Sequence, residues 1–465
     1  MHIHFLGIAG TLMGSLALLA RAAGHEVTGS DQQLYPPMST QLADAGIDVH
    51  IGWEPTPLKQ REPDLVVVGN ANLPRGNPAL EYVLDRNLRY TSGAQWLGEE
   101  ILAGRWTIAV SGTHGKTTTT AMISWILAQA RLDPGFLIGG VPANFPQSSH
   151  LGGAPFFVVE ADEYDTSYFD RRAKFAHYRP RTLVINNLEY DHADIYPDLA
   201  AIQNQFALLL RAVPANGLII APADSDAIEG VLAQGCWTAV ERIHSVDAEA
   251  VASGGWSAAE FSADGDAFTV YFDGAPQGRL EWGLLGRHNV QNALAAIAAA
   301  RHAGVPAAVA IEALCQFRGV KRRMERIGHS ARISVYDDFA HHPTAIASTL
   351  EGLRAAVGEE EIVAVIEPRS HTMSLGSLAA ALDTCTAAAD QALWKRTDRL
   401  QWDISAFEEN PTTPTRVLED SEAILRVLKE MPAPTNGRRR HIVLMSNSAF
   451  DGIHPRVVEA LCEDA

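Results

Sequence analysis

Cysteine is scarce in this sequence, with four residues in a chain of 465. They lie far apart, at Cys236, Cys315, Cys385 and Cys462. None forms a C-x-x-C pair, so the sequence indicates neither a disulfide framework nor a structural zinc site. This usage fits a reducing compartment, and we therefore expect a cytoplasmic protein.

Basic residues and long apolar runs are also scarce. The chain has 37 lysines and arginines against 55 aspartates and glutamates, a net charge of −18. Because an acidic surface repels the phosphate backbone, we expect no nucleic-acid partner. The first residues, MHIHFLGIAG, lack the basic region of a signal peptide. The most alanine-rich stretch is interrupted by Arg301, His302 and Pro306, so no membrane span is predicted.

Apolar runs that read as strands alternate with helical patterns in three segments, and 47% of the residues are hydrophobic. This alternation predicts an α/β fold with right-handed crossovers between parallel strands. We expect a Rossmann-like domain at 1–104, a central P-loop ATPase-like domain with a mainly parallel sheet at 105–319, and a second Rossmann-like domain at 320–465. A weakly hydrophobic stretch, 246–278, is predicted to form hairpins.

A glycine turn follows the first predicted strand. Its glycines, Gly7, Gly10 and Gly14, do not have the G-x-G-x-x-G spacing, so an NAD site is not indicated. Asp31 closes the second predicted strand, where a dinucleotide fold places its ribose-binding acid. The turn could hold a phosphate on a helix N-terminus or be a tight turn without a ligand.

The stretch AVSGTHGKTTTT resembles a phosphate-binding loop, although Val110 stands where the common pattern has its first glycine. Gly112 and Gly115 allow the backbone N–H groups to face inward around an anion. Lys116 would reach the β- and γ-phosphates, and the Thr117 hydroxyl is placed for Mg²⁺. A capped turn is the alternative, but the order of strand, Gly-Lys-Thr and helix predicts nucleotide binding.

Acidic residues end the next two predicted strands. Glu160 follows FFVV, and Glu189, Asp191 and His192 follow TLVINN. Because the carboxyl ends of parallel strands meet at the ligand crevice, Glu160 is a candidate Mg²⁺ ligand and His192 a candidate ligand of a second ion. The other acids of EADEYD are equally consistent with a solvated turn.

Two later motifs carry further candidate ligand groups. Asn289 and Asn292 share a helix face, and their carboxamides could read an adenine edge, or Asn289 could simply cap the helix. Arg369, after a strand of the third segment, could grip a carboxylate or a phosphate bidentately.

Taken in order, GTHGKTTT, VVEADEYD, NNLEYDHADIY, GRHNVQNALAA and YDDFAHHPTAI resemble the Mur ligases, the ATP-dependent amide-bond-forming enzymes of peptidoglycan synthesis. The resemblance covers essentially the whole chain, and this family's loop also lacks the first glycine. It implies ATP as cosubstrate, two Mg²⁺ ions and a UDP-sugar-binding N-terminal domain. No obligate protein partner is evident.

Other stretches, GIAGTLMG, SDQQLYPPMST, HYRPRTLVINN and EPRSHTMSLG, resemble the branch whose substrate is UDP-N-acetylmuramate. That branch lacks the carbamylated lysine of other Mur ligases, and Gln205 stands at the corresponding position. The resemblance implies that an acyl phosphate of UDP-N-acetylmuramate is joined to the murein tripeptide L-Ala-γ-D-Glu-meso-diaminopimelate, in recycling of cell-wall peptides. L-Alanine is the alternative amine.

The resemblance also implies roles for individual residues. The implied catalytic residues are Lys116, Glu160, His192, His341 and Arg369. The implied metal ligands are Thr117, Glu160 and His192. The implied ATP contacts are Gly112, Thr113, His114, Gly115, Lys116, Thr117, Thr118, His288, Asn289, Asn292 and Asp338. The implied UDP-substrate contacts are Gly7, Gly10, Thr11, Gly14, Asp31 and Asn70.

Three other functions remain as alternatives at this stage. Folylpolyglutamate synthase would need a pterin pocket in place of the N-terminal glycine turn. A nucleotide-dependent binding protein would not need acids and a histidine at two further strand ends. A kinase acting on a hydroxyl fits the residues alone, and only the resemblance makes the product an amide.

Overall fold

The structure, a computed structural model, describes residues 1–36, 38–69, 73–153, 155–244, 251, 253–262, 265–410, 412–434 and 437–462. Within these ranges the chain forms three sheets, of five, ten and six strands. The fold class predicted from the sequence is confirmed, since most neighbouring strands in each sheet run parallel. The domain bounds stay a prediction.

The N-terminal sheet has the strand order β3-β2-β1-β4-β5, and its strands are parallel. Its strands are β1 (His2–Leu6), β2 (Glu26–Asp31), β3 (Asp48–Ile51), β4 (Leu65–Val68) and β5 (Tyr90–Ser92). Its helices are α1 (Thr11–Ala22), α2 (Met38–Asp44), α3 (Thr56–Gln60), α4 (Pro78–Asp85) and α5 (Gly93–Trp96). Strands β1 and β4 are buried along their whole length, as expected for central strands that are covered on both faces.

The central sheet has the order β15-β14-β13-β12-β11-β10-β6-β9-β7-β8. Its strands are β6 (Trp106–Ser111), β7 (Gly135–Leu137), β8 (Ser149–His150), β9 (Phe156–Glu160), β10 (Thr182–Ile185), β11 (Leu218–Pro222), β12 (Ala239–Ile243), β13 (Trp256–Ala259), β14 (Ala267–Phe272) and β15 (Ala275–Glu281). Its helices are α6 (Lys116–Gln129), α7 (Leu199–Ala212), α8 (Asp226–Leu232), α9 (Arg287–His302) and α10 (Ala307–Leu314). Strands β6, β9 and β10 are neighbours, so the residues that follow them meet at one edge.

The C-terminal sheet has the order β16-β17-β21-β18-β19-β20, in which only β16 pairs antiparallel among the described strands. Its strands are β16 (Glu325–His329), β17 (Ile333–Asp338), β18 (Glu361–Ile366), β19 (Gln391–Lys395), β20 (Thr415–Leu418) and β21 (Arg440–Met445). Its helices are α11 (Pro343–Val357), α12 (His371–Leu375), α13 (Ala379–Thr384), α14 (Ser421–Glu430) and α15 (Ile453–Cys462).

The predicted hairpins correspond to the antiparallel strands β13, β14 and β15, which close one end of the central sheet. Parts of that stretch, 246–250, 252 and 263–264, lie outside the described residues. In the part of the chain that the structure covers, no helix combines the length and apolar composition needed to cross a membrane.

Candidate active site

The loop between β6 and α6 is tightly curled. Gly112 has φ 123° and Gly115 has φ 78°, a region that side chains rarely adopt. A Cβ on Gly115 would lie 2.5 Å from the Asn292 Oδ1 atom, so the loop also packs against α9. The Thr113 hydroxyl accepts the Glu189 N–H at 2.8 Å, which ties the loop to the segment after β10. Thr118 is buried in the first turn of α6.

Lys116 opens α6 and points toward acidic side chains. Its Nζ donates to the Gly112 carbonyl at 2.6 Å and to both carboxylate oxygens of Glu163, at 2.9 and 3.1 Å. Burial would lower the pKa of Lys116, but the carboxylates of Glu163 and Asp162 outweigh it and raise the pKa. The side chain is therefore a buried ammonium, paired with carboxylates where an anionic ligand would meet the loop.

Thr117 and Glu160, two of the predicted metal ligands, are in contact. The Thr117 hydroxyl donates to Glu160 Oε1 at 3.0 Å, and Glu160 Oε2 accepts the Gly139 N–H at 2.8 Å. Burial raises the pKa of the Glu160 carboxyl. A hydroxyl and a carboxylate oxygen at this spacing are the hard oxygen donors that Mg²⁺ prefers, so these two residues fit the ion.

His192 lies in a second cluster with Asp162 and Glu163, whose candidate ligand atoms all lie within 4.8 Å of one another. His192 Nε2 is 3.1 Å from Glu163 Oε1. Burial would lower its pKa, but Glu163 and Asp191 raise the pKa of His192 to about 9. The backbone of His192 has φ 55°, an uncommon value for a residue other than glycine, and its N–H donates to Asp191 Oδ1 at 2.7 Å. Oxygen donors predominate here too, so the cluster also fits Mg²⁺, whose binding would release the proton from His192.

The predicted adenine-side residues start α9 beside the loop. Asn289 donates to the Leu285 carbonyl at 2.7 Å and accepts from Asn292 at 3.3 Å, so both carboxamides have protein partners. Asn186 donates to Asn292 Oδ1 at 3.4 Å. Burial lowers the pKa of His288 to about 4. The structure thus brings Asn292 to the predicted ATP loop, residues 112–115 between β6 and α6.

The C-terminal domain contributes side chains to the same region. Arg323 Nη2 lies 3.4 Å from the Thr117 hydroxyl. The carboxylate oxygens of Asp338, the predicted ribose contact, accept the backbone N–H groups of Met324 and Ala340 at 2.7 and 2.8 Å. Burial lowers the pKa of His341 to about 4, and its Nδ1 is 2.9 Å from the Phe339 carbonyl.

A cavity of about 350 Å³ lies between the central and C-terminal domains. His192 and Asp194 line it from the central side, and His341, Arg369 and Arg399 from the other. The buried carboxylate of Glu367 lies 3.7 Å from the Arg369 guanidinium. Three predicted catalytic residues, His192, His341 and Arg369, therefore face one cavity, while Lys116 begins α6 and Glu160 ends β9.

The N-terminal turn has the geometry of a strand-to-helix junction. Gly7 has φ 84°, Gly10 precedes α1, and Thr11 is its first residue. Asp31 Oδ2 accepts the Ala9 N–H at 2.8 Å, which places the acid beside the turn. Gly14 lies one turn further on, where a Cβ would meet Met38 Sδ at 2.2 Å, so helix packing accounts for this glycine. Asn70, predicted for the same ligand, lies outside the described residues.

The sequence interpretation did not single out several residues at this centre. A solvated turn is one expectation for Glu163 from the sequence, yet this residue is buried against Lys116 and His192. Arg323 and Arg399 are likewise absent from the candidates that the sequence motifs supply. The four closely spaced acids of EADEYD were the available signal, but acid content alone does not say which one faces inward.

Matches to known domain families cover most of the chain. Residues 2–105 match the Mur ligase family catalytic domain, residues 110–300 the Mur ligase middle domain, and residues 322–446 the Mur ligase glutamate ligase domain. The chain belongs to the Mur ligase family. The predicted family and ligase activity are thereby confirmed.

Individual relatives narrow the comparison. UDP-N-acetylmuramate–L-alanyl-γ-D-glutamyl-meso-2,6-diaminoheptandioate ligase of Escherichia coli (strain K12) is 46% identical, over 100% of this chain and 99% of that protein. The crystal structure of a murein peptide ligase from Psychrobacter arcticus 273-4 is 46% identical, with a TM-score of 0.74 and coverage of 100% and 99%. UDP-N-acetylmuramate–L-alanine ligase of Desulforapulum autotrophicum is 34% identical, over 80% of this chain and 78% of that protein.

Proposed function

We propose that this protein uses ATP to join the lactyl carboxylate of UDP-N-acetylmuramate to the amine of L-Ala-γ-D-Glu-meso-diaminopimelate. The observation that carries the proposal is the interdomain cavity, on which His192, His341 and Arg369 converge beside the ATP loop. Two relatives that match the chain over nearly its full length, at 46% and 45% identity, carry the tripeptide in their names, whereas the L-alanine ligase of Desulforapulum autotrophicum is 34% identical. Reuse of cell-wall peptides is the corresponding role.

The first step activates the carboxylate. A lactyl carboxylate oxygen attacks the γ-phosphorus of ATP, the bond to ADP breaks, and an acyl phosphate forms. Lys116 would exchange Glu163 for the phosphate oxygens, since its ammonium lies against the loop backbone at the start of α6. Arg323, 3.4 Å from Thr117, would add a second cation from the C-terminal domain.

Mg²⁺ bound at this centre would neutralise the charge that spreads over the phosphoryl oxygens. Thr117 and Glu160 would hold one ion. His192 would hold a second, and the neighbouring carboxylates of Asp162 and Glu163 complete a donor set that suits it.

The second step forms the amide. The amine nitrogen attacks the carbonyl carbon, phosphate leaves with one former carboxylate oxygen, and the amine loses a proton. His341 is the proposed acceptor of that proton, because it lines the cavity and burial lowers its pKa, which keeps the imidazole neutral.

The cavity suits a peptide better than a single amino acid. Its volume of about 350 Å³ is within the range that proteins use for drug-sized ligands. Arg369 and Arg399 offer two guanidinium groups, and the tripeptide carries several carboxylates where alanine has one. We propose that Arg399 binds a carboxylate that alanine lacks.

We also propose the bounds and roles of the three domains. Residues 1–104 would bind the uridine nucleotide around Gly7, Gly10, Thr11 and Asp31, residues 105–319 would bind ATP, and residues 320–465 would bind the incoming amine.

The test is ADP release with ATP, Mg²⁺ and UDP-N-acetylmuramate, comparing the tripeptide with L-alanine. We expect turnover with the tripeptide, and in Arg399→Gln a KM for the tripeptide raised on the order of 10-fold or more, with the KM for ATP unchanged. Arg416→Gln, at an exposed position of β20, is the matched control. Turnover with alanine alone would contradict the proposed substrate.

A further inference from the structure

A second group of possible metal ligands lies apart from the Mg²⁺ residues. His114 of the ATP loop, Glu189 after β10 and His342 before α11 place one ligand atom each within 4.8 Å of one another. His342 Nδ1 is 3.4 Å and His114 Nε2 is 3.6 Å from the same oxygen, Glu189 Oε2. These separations are too long for good hydrogen bonds.

The two nitrogens have no hydrogen-bond partner among the described residues, although both are buried. His342 is 5% exposed, and its other ring nitrogen, Nε2, faces the Tyr190 carbonyl at 3.3 Å. A carbonyl can only accept, so Nε2 carries the proton when the ring is neutral. The Nδ1 lone pair then points at a carboxylate oxygen, and the two repel each other unless a positive charge lies between them.

An imidazolium at His342 would supply that charge, but burial lowers the pKa of His342 and disfavours it. A divalent ion satisfies all three atoms together. A tetrahedral zinc site with bonds of about 2.0–2.1 Å places neighbouring ligand atoms roughly 3.3–3.4 Å apart, close to the two separations seen here. Two imidazoles and one carboxylate are also among the ligand sets that zinc favours.

The surrounding contacts resemble those that orient metal ligands. A histidine ligand commonly donates its second ring N–H to a backbone carbonyl, as His342 is placed to do with Tyr190. Thr344 donates to Glu189 Oε2 at 2.7 Å and fixes the carboxylate. The Glu189 carboxyl is an anion at neutral pH: burial alone would raise its pKa, but His114, Thr344 and His342 lower the pKa to about 2.

We propose that His114, Glu189 and His342 form a binding site for a borderline divalent transition-metal ion, with Zn²⁺ as the probe, separate from the Mg²⁺ residues. The three ligands come from the ATP loop, the segment after β10 and the C-terminal domain. A bound ion would therefore join the central and C-terminal domains and hold them in this arrangement.

The experiment is a Zn²⁺ titration of the full-length, chelator-treated protein in millimolar Mg²⁺, read by competition with a chromogenic chelator. We expect one equivalent to bind tightly and to raise the melting temperature. Glu189→Gln, which keeps the shape and the Thr344 contact, and His342→Ala should each weaken binding on the order of 100-fold or more and abolish the shift in melting temperature.

Two controls separate this site from other zinc-binding groups. His192→Ala tests the Mg²⁺ cluster, and His150→Ala tests an exposed histidine that pairs with a single carboxylate. Both should bind Zn²⁺ as the wild type does. Loss of the tight equivalent in His192→Ala, its retention in Glu189→Gln, or absence of a tight equivalent in the wild type would overturn the proposal. None of these readouts depends on ligase activity.

Discussion

At the scale of single residues, the Lys116 ammonium is paired with a buried carboxylate, that of Glu163. Glu163 follows β9, and its carboxylate contacts both the Lys116 ammonium and His192 of the neighbouring cluster. Under the proposed function, phosphate oxygens would displace Glu163 from Lys116 and free this carboxylate when the nucleotide binds.

Removal of this cation is predicted to stop the first chemical step. Lys116→Met keeps an apolar stem of similar length but cannot neutralise phosphate oxygens, so ADP formation should fall by 100-fold or more, on the order expected for loss of a charged transition-state contact. Affinity for UDP-N-acetylmuramate, measured by calorimetry, should change little, because the N-terminal turn is untouched. Lys429→Met, at an exposed position of α14, is the matched control. If Lys116→Met kept its turnover, Lys116 would have no part in phosphoryl transfer.

His4 in β1 is predicted to make the N-terminal domain sensitive to acid. It is 1% exposed, with ring nitrogens 2.8 Å from Thr28 Oγ1 and 3.0 Å from Ser30 Oγ. Burial, helped by His2 and His50, lowers its pKa to about 3 from 6.5. Between these two values the unfolded chain binds the extra proton, so stability falls as pH drops below 6.5, by up to about 1.4 kcal/mol per pH unit.

The measurement for His4 is the melting temperature at pH 7.5 and pH 5.0. His4→Gln should narrow the difference between the two values relative to the wild type, whereas His25→Gln, at a partly exposed position, should not. An equal difference in all three proteins would mean that His4 does not titrate as its burial implies.

At the scale of single residues, the sequence indicates which residues belong to the site better than it indicates which of their side chains are in contact. Lys116, Thr117 and Glu160 lie together, but their roles stay predictions. The sequence alone could not show which acid of EADEYD faces Lys116. The predicted end of a strand indicates where the first residue of the following loop lies, but not where the later loop residues point. Only the folded chain places Glu163 against Lys116 and His192.

At the scale of elements, the ATP loop is defined by backbone conformation as much as by side chains. Its two glycines adopt positive φ, and α6 begins directly after Gly115. The order of strand, loop and helix was predictable from the sequence because glycine, lysine and threonine stand at fixed offsets. The contact of the loop with α9 was not, since it depends on Asn292, far along the chain.

Gly115→Ala is predicted to distort the ATP loop and weaken ATP binding, whereas the same substitution at Gly24 should leave ATP affinity unchanged. The new Cβ would meet Asn292 Oδ1 at 2.5 Å and Asn186 Nδ2 at 2.8 Å. Gly24→Ala is the matched control, because Gly24 has φ 88° but open space around its Cβ. Both changes should cost about 1–2 kcal/mol for the left-handed backbone. Only Gly115→Ala should also weaken ATP binding, on the order of 10-fold or more by calorimetry; equal ATP affinities would contradict the packing argument.

At the scale of the whole molecule, the site exists only where the central and C-terminal domains meet. Arg323 approaches Thr117, His342 approaches Glu189, and Thr372 donates to the buried Asp191 Oδ1 at 2.5 Å. The three sheets could be predicted from the sequence, because strand and helix patterns are local. The contacts between domains could not, since they join residues more than 150 positions apart and leave no periodic signal.

Thr372→Val is predicted to loosen one wall of the cavity. It removes a buried hydrogen bond to a carboxylate, worth about 1.5–3 kcal/mol. The KM for the tripeptide should therefore rise on the order of 10-fold while the KM for ATP stays near its wild-type value. Thr384→Val, whose hydroxyl contacts only its own helix among the described residues, is the control. An unchanged KM for the tripeptide would mean that this contact does not shape the amine site.

The central claim is that a carboxylate of UDP-N-acetylmuramate is activated by phosphate and then captured by the tripeptide amine. The most direct measurement uses UDP-N-acetylmuramate with both lactyl carboxylate oxygens labelled with ¹⁸O, in the presence of ATP, Mg²⁺ and the tripeptide. Mass spectrometry should find one ¹⁸O in the released phosphate and one in the amide product. ADP release with both labels left on the sugar acid, or labelled phosphate that appears with L-alanine but not with the tripeptide, would contradict the account.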